Sequence, residues 1–246
     1  MWIPPWLGRI YAKLHATFGN EPFTFEKAQR LLFIPENRLA VAFSKLHANR
    51  ILLIFETTRP RVYRLLDPEN FILLASGILQ GLDRIPQERY VRLICDAFRE
   101  VSRRCSLTSF AVYGSVARGR ARKESDVDIL LISDDFEGSL GSRVQRLCQF
   151  ERDLEELTWL RNHGIYTGLK FYPLRREEAE RFPLILLDLT EDAIILYDKE
   201  RFLERVLTEL RSRLLKLGAR RVFLDEDRWY WDLKPDYRFG EIVEIV

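Results

Sequence analysis

AVYGSVARGRARKESDVDILLIS, residues 111–133, runs an apolar strand into a Gly-Ser turn, then a loop crowded with Arg and Lys, then a second apolar strand opened by two aspartates. A glycine at 114, leaving a strand and entering a helix, lets the backbone turn sharply and approach a ligand closely. The helix start behind it presents unpaired N–H groups and a positive dipole end, an environment suited to phosphate. Ser115 adds a hydroxyl donor, and Arg118, Arg120, Arg122 and Lys123 add positive charge, although not all of them can face one point. Positions 126 and 128 lie two apart on a strand, so both carboxylates share a face while Val127 points the opposite way. Two such carboxylates repel unless a cation sits between them. A Mg²⁺ ion bridging Asp126, Asp128 and a nucleoside triphosphate resolves that repulsion most simply.

Gly114-Ser115, Ala117-Arg118-Gly119, Ala121, Ser125-Asp126 and Asp128 together resemble the signature of the DNA polymerase beta-like nucleotidyltransferases. The match is closest to the minimal nucleotidyltransferase branch, whose pattern GSxARGxAxxxSDxD is met at every fixed position. The resemblance implies a short mixed sheet with helices on one side. It implies that Gly114 and Ser115 hold the triphosphate, with Arg118 as a further phosphate contact. Asp126 and Asp128 then act as catalytic residues and metal ligands, with two Mg²⁺ ions expected and one sufficient to hold the nucleotide. The implied reaction is in-line attack of a hydroxyl on the α-phosphorus with loss of pyrophosphate, catalysed mainly by positioning and charge neutralisation.

The same resemblance calls for a third carboxylate on a later strand, and there the sequence departs from it. The expected strand, IYTGLKFYPL at 165–174, carries Lys170 as its one charged residue. A cation cannot replace a metal ligand. The nearest acids are Asp153, Glu155 and Glu156 before it, and Glu177, Glu178 and Asp188 after it, with Asp232 in the tail. Either another acid completes the site, or the domain binds nucleotide with little or no transfer.

Upstream, apolar positions Leu7, Ile10, Tyr11 and Leu14 have helical spacing. Thr24 is placed to cap a second helix and Pro35 to open a third, in which Leu39, Phe43 and Leu46 form one stripe. Two β-prone runs joined by TTRP then read as a hairpin. Three helices and a hairpin over residues 6–66 resemble a winged helix-turn-helix domain, with the third helix for recognition and the hairpin as wing. Residues 1–75 carry ten Lys and Arg against six acids. Arg38 and Lys45 on the third helix and Arg59 and Arg61 on the wing are the candidate duplex-DNA contacts, with Arg64 beside them. The other reading of these cations is the solvated face of a packing module.

The whole chain of 246 residues is 47% apolar and 31% charged with a net charge of +2, too small by itself to argue for nucleic acid. No apolar run approaches the ~20 residues of a spanning helix, and MWIPPWLGRI lacks the pattern of a signal peptide. Cys95, Cys105 and Cys148 are odd in number and far apart, which speaks against disulfides or a zinc site and for a reducing cytoplasm. Cys95 and Cys148 read as buried packing residues, and His163 as a helix C-terminal cap.

The expected architecture is α+β. A winged helix occupies 1–75, a nucleotidyltransferase domain 88–175, and a helical C-terminal extension with an aromatic tail 176–246. Helices are expected over about 87–103 and 142–161, and strands over 109–114, 127–133 and 166–174. Trp229, Tyr230 and Trp231 either stack on a base or pack across a surface. The functional expectation is Mg²⁺-dependent transfer of a nucleoside monophosphate from NTP to an acceptor hydroxyl on a small molecule, a nucleic acid end or a protein. By analogy, small members of the branch modify a toxin partner. The alternatives are a DNA-binding regulator with a nucleotide-sensing second domain, and assembly as a homodimer through the N-terminal helices.

Overall fold

A computed structural model of the chain describes residues 3–151, 153–225 and 228–238. The first two residues of MWIPPWLGRI and the end of the tail, 239–246, lie outside the described residues.

The chain opens with α1 (Pro5–Phe18), β1 (Phe23–Thr24), α2 (Phe25–Leu32), α3 (Glu36–Ala48), β2 (Leu52–Glu56) and β3 (Val62–Leu65). Thr24 accepts a hydrogen bond from the Lys27 amide and so caps α2, as its position predicts. Leu7, Ile10 and Leu14 of α1 meet Leu39, Phe43 and Leu46 of α3 in one small core. β3 lies between β1 and β2, antiparallel to both. Three helices and a hairpin are thus present in the predicted order.

α4 (Pro68–Ala75), capped by Asp67, leads through two short 3₁₀ turns to α5 (Val91–Ser102). Then come β4 (Ser109–Tyr113), α6 (Gly114–Ala117), β5 (Val127–Ile132), α7 (Leu140–Glu151), α8 (Glu155–Asn162) and β6 (Leu169–Leu174). The expected single helix over 142–161 is therefore two. The break falls where Leu154 adopts an extended backbone and buries its side chain, 6% exposed. After α9 (Arg176–Ala179) and α10 (Ile185–Asp192) follow β7 (Ile194–Asp198), α11 (Phe202–Leu217), β8 (Arg220–Phe223) and β9 (Trp229–Asp232).

The main sheet has the order β6-β5-β4-β7, with β5 and β6 parallel and the other pairs antiparallel. Its fourth strand comes from beyond residue 175, so the C-terminal region is not simply helical. Helices cover both faces, not one. Phe110, Val112, Ile129 and Leu131 face α5, α7 and α8, while Ala111, Leu130 and Ile132 pack with α10 and α11. The sequence carries the reason: β4 and most of β5 are unbroken apolar runs, the pattern of a strand buried on both sides.

The N-terminal segment does not swing free of this sheet. Leu53, Phe55 and Leu66 share the α5 core, and Arg64 of β3 is bound by Glu156 of α8. Arg64 was expected among the wing cations. It is 2% exposed and turned inward, so it offers no charge to an external phosphate. Cys95 is buried but Cys148 only half-covered. His163 does cap α8, its Nδ1 donating to the Trp159 carbonyl and its ring stacking on that residue's indole at 3.7 Å. Among the described residues, no helix is long and apolar enough to cross a membrane.

Candidate nucleotide site

The site grows from one junction in the sheet. β4 ends at Tyr113, whose register partner on β5 is Asp128. The backbone then turns at Gly114 with φ +71° and makes a single helical turn. A Cβ on Gly114 would lie 2.2 Å from Asp128 Oδ2, so the turn and the carboxylate occupy adjoining space that only glycine leaves open. The loop beyond is fastened to the body of the protein. Gln87 hydrogen-bonds both the amide and the carbonyl of Ala121, and the Tyr90 hydroxyl donates to the Arg122 carbonyl. The basic loop is thus held against the start of α5.

Asp126 and Asp128 come together as the strand period predicts, with Val127 fully buried between them. Asp126 sits just ahead of β5. Its Oδ1 accepts the Gly168 amide at 2.9 Å, and its Oδ2 meets Lys170 Nζ at 2.9 Å. Lys170 is also the register partner of Asp128 on the parallel strand β6. The hydrogen bond and charge of Asp126 push the Lys170 ammonium above its ordinary pKa, and Asp128 adds to this. Burial raises the Asp128 carboxyl above its usual range, Lys170 opposes the rise, Asp126 reinforces it, and Arg118 opposes it. Burial likewise pushes up the neighbouring Tyr113 phenol, with Asp128 contributing.

Arg118 follows Gly114 and Ser115 on the same turn but is already engaged. Its Nη1 donates to Asp192 at 3.0 Å, and its guanidinium lies 4.6 Å from the Trp229 ring centroid. Asp192 also takes two hydrogen bonds from Arg221 of β8, which lies 3.9 Å from the same ring on its way through the cluster. Trp229 and Trp231 both donate their indole N–H to Asp188. The tail aromatics therefore pack, as a hairpin closed over α10, with Tyr230 half-exposed at 50%.

Five of the seven acids named as candidates for a third carboxylate have other partners. Glu156 binds Arg64, Glu178 binds Arg143, Glu177 binds Arg175, Asp188 holds the two indoles and Asp232 faces Arg220. Asp153 and Glu155 line a cleft beside α1 and α5. The carboxylate that does approach is Glu151, at the end of α7. Its Oε1 accepts the Leu169 amide at 2.8 Å, next to the Gly168 amide that binds Asp126. A Cβ on Gly168 would meet Glu151 Oε1 at 2.9 Å and Asp126 Oδ1 at 3.1 Å. Nothing in the sequence distinguished Glu151 from the acids that follow it within five residues. Among the described residues, no three His, Cys, Asp or Glu side chains are grouped to hold a metal.

The candidate DNA contacts lie elsewhere. Arg38 and Lys45 are exposed on α3, and Arg59 and Arg61 are exposed in and beside the β2–β3 turn. Arg50, two residues beyond α3, is instead drawn to Glu88 together with His47.

The family model for the nucleotidyltransferase domain matches residues 94–215, and the chain carries such a domain. That span includes β7 and α11 as well as the glycine turn and the aspartate pair. A solved structure described as the crystal structure of the toxin-antitoxin with AMP-PNP is similar at 13% identity and a TM-score of 0.34, over 50% of this chain and 91% of that chain. No curated protein matches the chain.

Proposed function

We propose that the chain is a nucleotidyltransferase that binds an NTP at the Gly114 turn and transfers its nucleoside monophosphate to an acceptor hydroxyl. The observation that carries this reading is the Asp126–Asp128 face lying directly against the glycine turn, within a nucleotidyltransferase domain. Phosphate oxygens seek N–H donors and positive charge, which the turn, the Ser115 hydroxyl and the loop cations supply. Arg118 can join them by sharing or exchanging Asp192. The carboxylates are hard oxygen donors and fit Mg²⁺, which when bound supplies neutralisation of the triphosphate and polarisation of the α-phosphate. Asp126 is oriented by the Gly168 amide before any ligand arrives, and Asp128 stands close against the Gly114 turn. Such preorganisation is the main contribution that a protein makes to phosphoryl-type transfer.

The test is transfer of label from an α-labelled NTP to an acceptor in cell extract, followed by fractionation into small molecule, nucleic acid and protein. Asp126→Asn is expected to lower labelling at least a hundredfold while the melting temperature stays near that of the wild type. Labelling that survives this substitution would end the proposal.

A second reading is favoured by the element order of the N-terminal segment. Three helices followed by a hairpin, with exposed Arg38, Lys45, Arg59 and Arg61, support a winged helix that contacts duplex DNA. Replacing both Arg59 and Arg61 by Ala is then expected to weaken binding to duplexes of any sequence. It is also expected to reduce the slope of log K against log salt by about two, roughly one per lost phosphate contact. Fluorescence anisotropy across a salt series measures both, and an unchanged slope would remove these arginines from the interface.

A further inference from the structure

We propose that Lys170 is the resident second cation of the nucleotide site, so that the bound complex takes up one divalent ion rather than two. This rests on the nucleotide reading of the Asp126–Asp128 face and deepens it. The parallel register sets Lys170 beside Asp128, and the ammonium reaches across to Asp126 Oδ2 at 2.9 Å. Asp126 therefore has one oxygen on the Gly168 amide and the other on Lys170, and neither faces outward without a partner. A metal ion on Asp126 would share an oxygen or a near neighbour with the Lys170 ammonium, and the two cations repel.

The charges lead to the same point. Two carboxylates beside an anionic triphosphate need compensation. One divalent ion on Asp128 and one ammonium on Asp126 provide three positive charges without a third acidic ligand. Glu151 approaches through Oε1 on the Leu169 amide, but among the described residues it is not grouped with Asp126 and Asp128 as a third metal ligand. Lys170 has the reach for the role: its side chain is 66% exposed, so the ammonium lies at the open rim and not in the core. An ammonium also differs from a metal ion in what it offers. It donates hydrogen bonds to phosphate oxygens but holds no coordinated water and does not organise ligands octahedrally.

Mn²⁺ titration of the full-length chain, followed by electron paramagnetic resonance of the free ion, tests this without any turnover. In the absence of nucleotide, Lys170→Met is expected to tighten Mn²⁺ binding about tenfold or more, as removal of a unit charge ~4 Å from a divalent ion demands even at the dielectric of water. Adding Asp126→Asn to Lys170→Met should abolish the gain. With a non-hydrolysable NTP analogue, the wild type should bind one Mn²⁺ per chain and Lys170→Glu two. Two ions per wild-type chain, or unchanged affinity in Lys170→Met, would overturn the proposal. If the Lys170→Met gain appears and depends on Asp126 but no NTP binds, Lys170 keeps its role as counter-cation and the transferase reading falls instead.

Discussion

Glu156→Ala is expected to destabilise the protein by about 3–5 kcal/mol, the cost of leaving one member of a buried ion pair without its partner. Arg64 and Glu156 have side chains 3% and 2% exposed, and they join β3 of the N-terminal segment to α8 across 92 residues of chain. The pair is bidentate, and Arg64 also donates from Nε to the Asn20 carbonyl at 3.0 Å. Its guanidinium lies 3.2 Å from the Trp159 ring centroid. Burial lowers the Arg64 pKa and its hydrogen bond to Glu156 holds it up, so removing the carboxylate leaves the desolvation uncompensated. Arg92 suffers too, since its Nε lies 3.5 Å from the same carboxylate. Urea unfolding should show the midpoint fall without a change in slope. Replacing both partners, as in Arg64→Met with Glu156→Leu, should recover most of the loss, because an apolar pair carries no desolvation penalty. A single substitution costing under ~1 kcal/mol, the value of an exposed pair, would mean that water reaches Arg64. The cleft of about 1070 Å³ that both residues line offers the route.

What was legible in the sequence was local. Gly114, Ser115, Asp126 and Asp128 lie within one strand–turn–strand unit, and their relation follows from the period of a strand and the freedom of a glycine. Thr24, Pro35 and the Leu39–Phe43–Leu46 stripe likewise act within a turn or two of where they stand. What failed depended on partners far along the chain. Arg64 read as a wing cation because its neighbours Arg59 and Arg61 are exposed, and only Glu156 explains why it turns inward. Arg118 read as free for phosphate, yet Asp192 and Trp229 occupy it from 74 residues and more away. Burial of the sheet on both faces was written in the apolar runs of β4 and β5, but the implied one-sided packing overrode that signal. Lys170 stands in the sequence as the wrong charge on the right strand. Its meaning needed the register that puts it beside Asp128 and on Asp126, which no periodicity supplies.

The same closeness that makes the site makes it fragile at one atom. Gly114→Ala adds a methyl group whose position is 2.2 Å from Asp128 Oδ2, 3.0 Å from its Cγ and 3.3 Å from its Cβ. Turning the carboxylate about its last bond moves Oδ2 aside but leaves Cγ and Cβ where they are, both tighter than ordinary van der Waals contact. The backbone cannot relax freely either, because φ +71° is unfavourable for alanine and α6 begins at that residue. Either Asp128 swings out of the face it shares with Asp126, or the turn unwinds and withdraws its amides from the triphosphate. Both routes remove the nucleotide site, while the cores on the two faces of the sheet are left in place. Calorimetric titration should therefore find NTP affinity reduced at least a hundredfold in Gly114→Ala, at a stability cost of about 1–3 kcal/mol, the range for local strain. Combining it with Asp128→Gly separates the two routes. If the clash with the carboxylate is what matters, the double variant should regain the wild-type melting temperature without regaining affinity. If the strained turn is what matters, stability stays low in both. Full affinity in Gly114→Ala would mean that phosphate is held elsewhere, and the glycine turn would lose its part in the site.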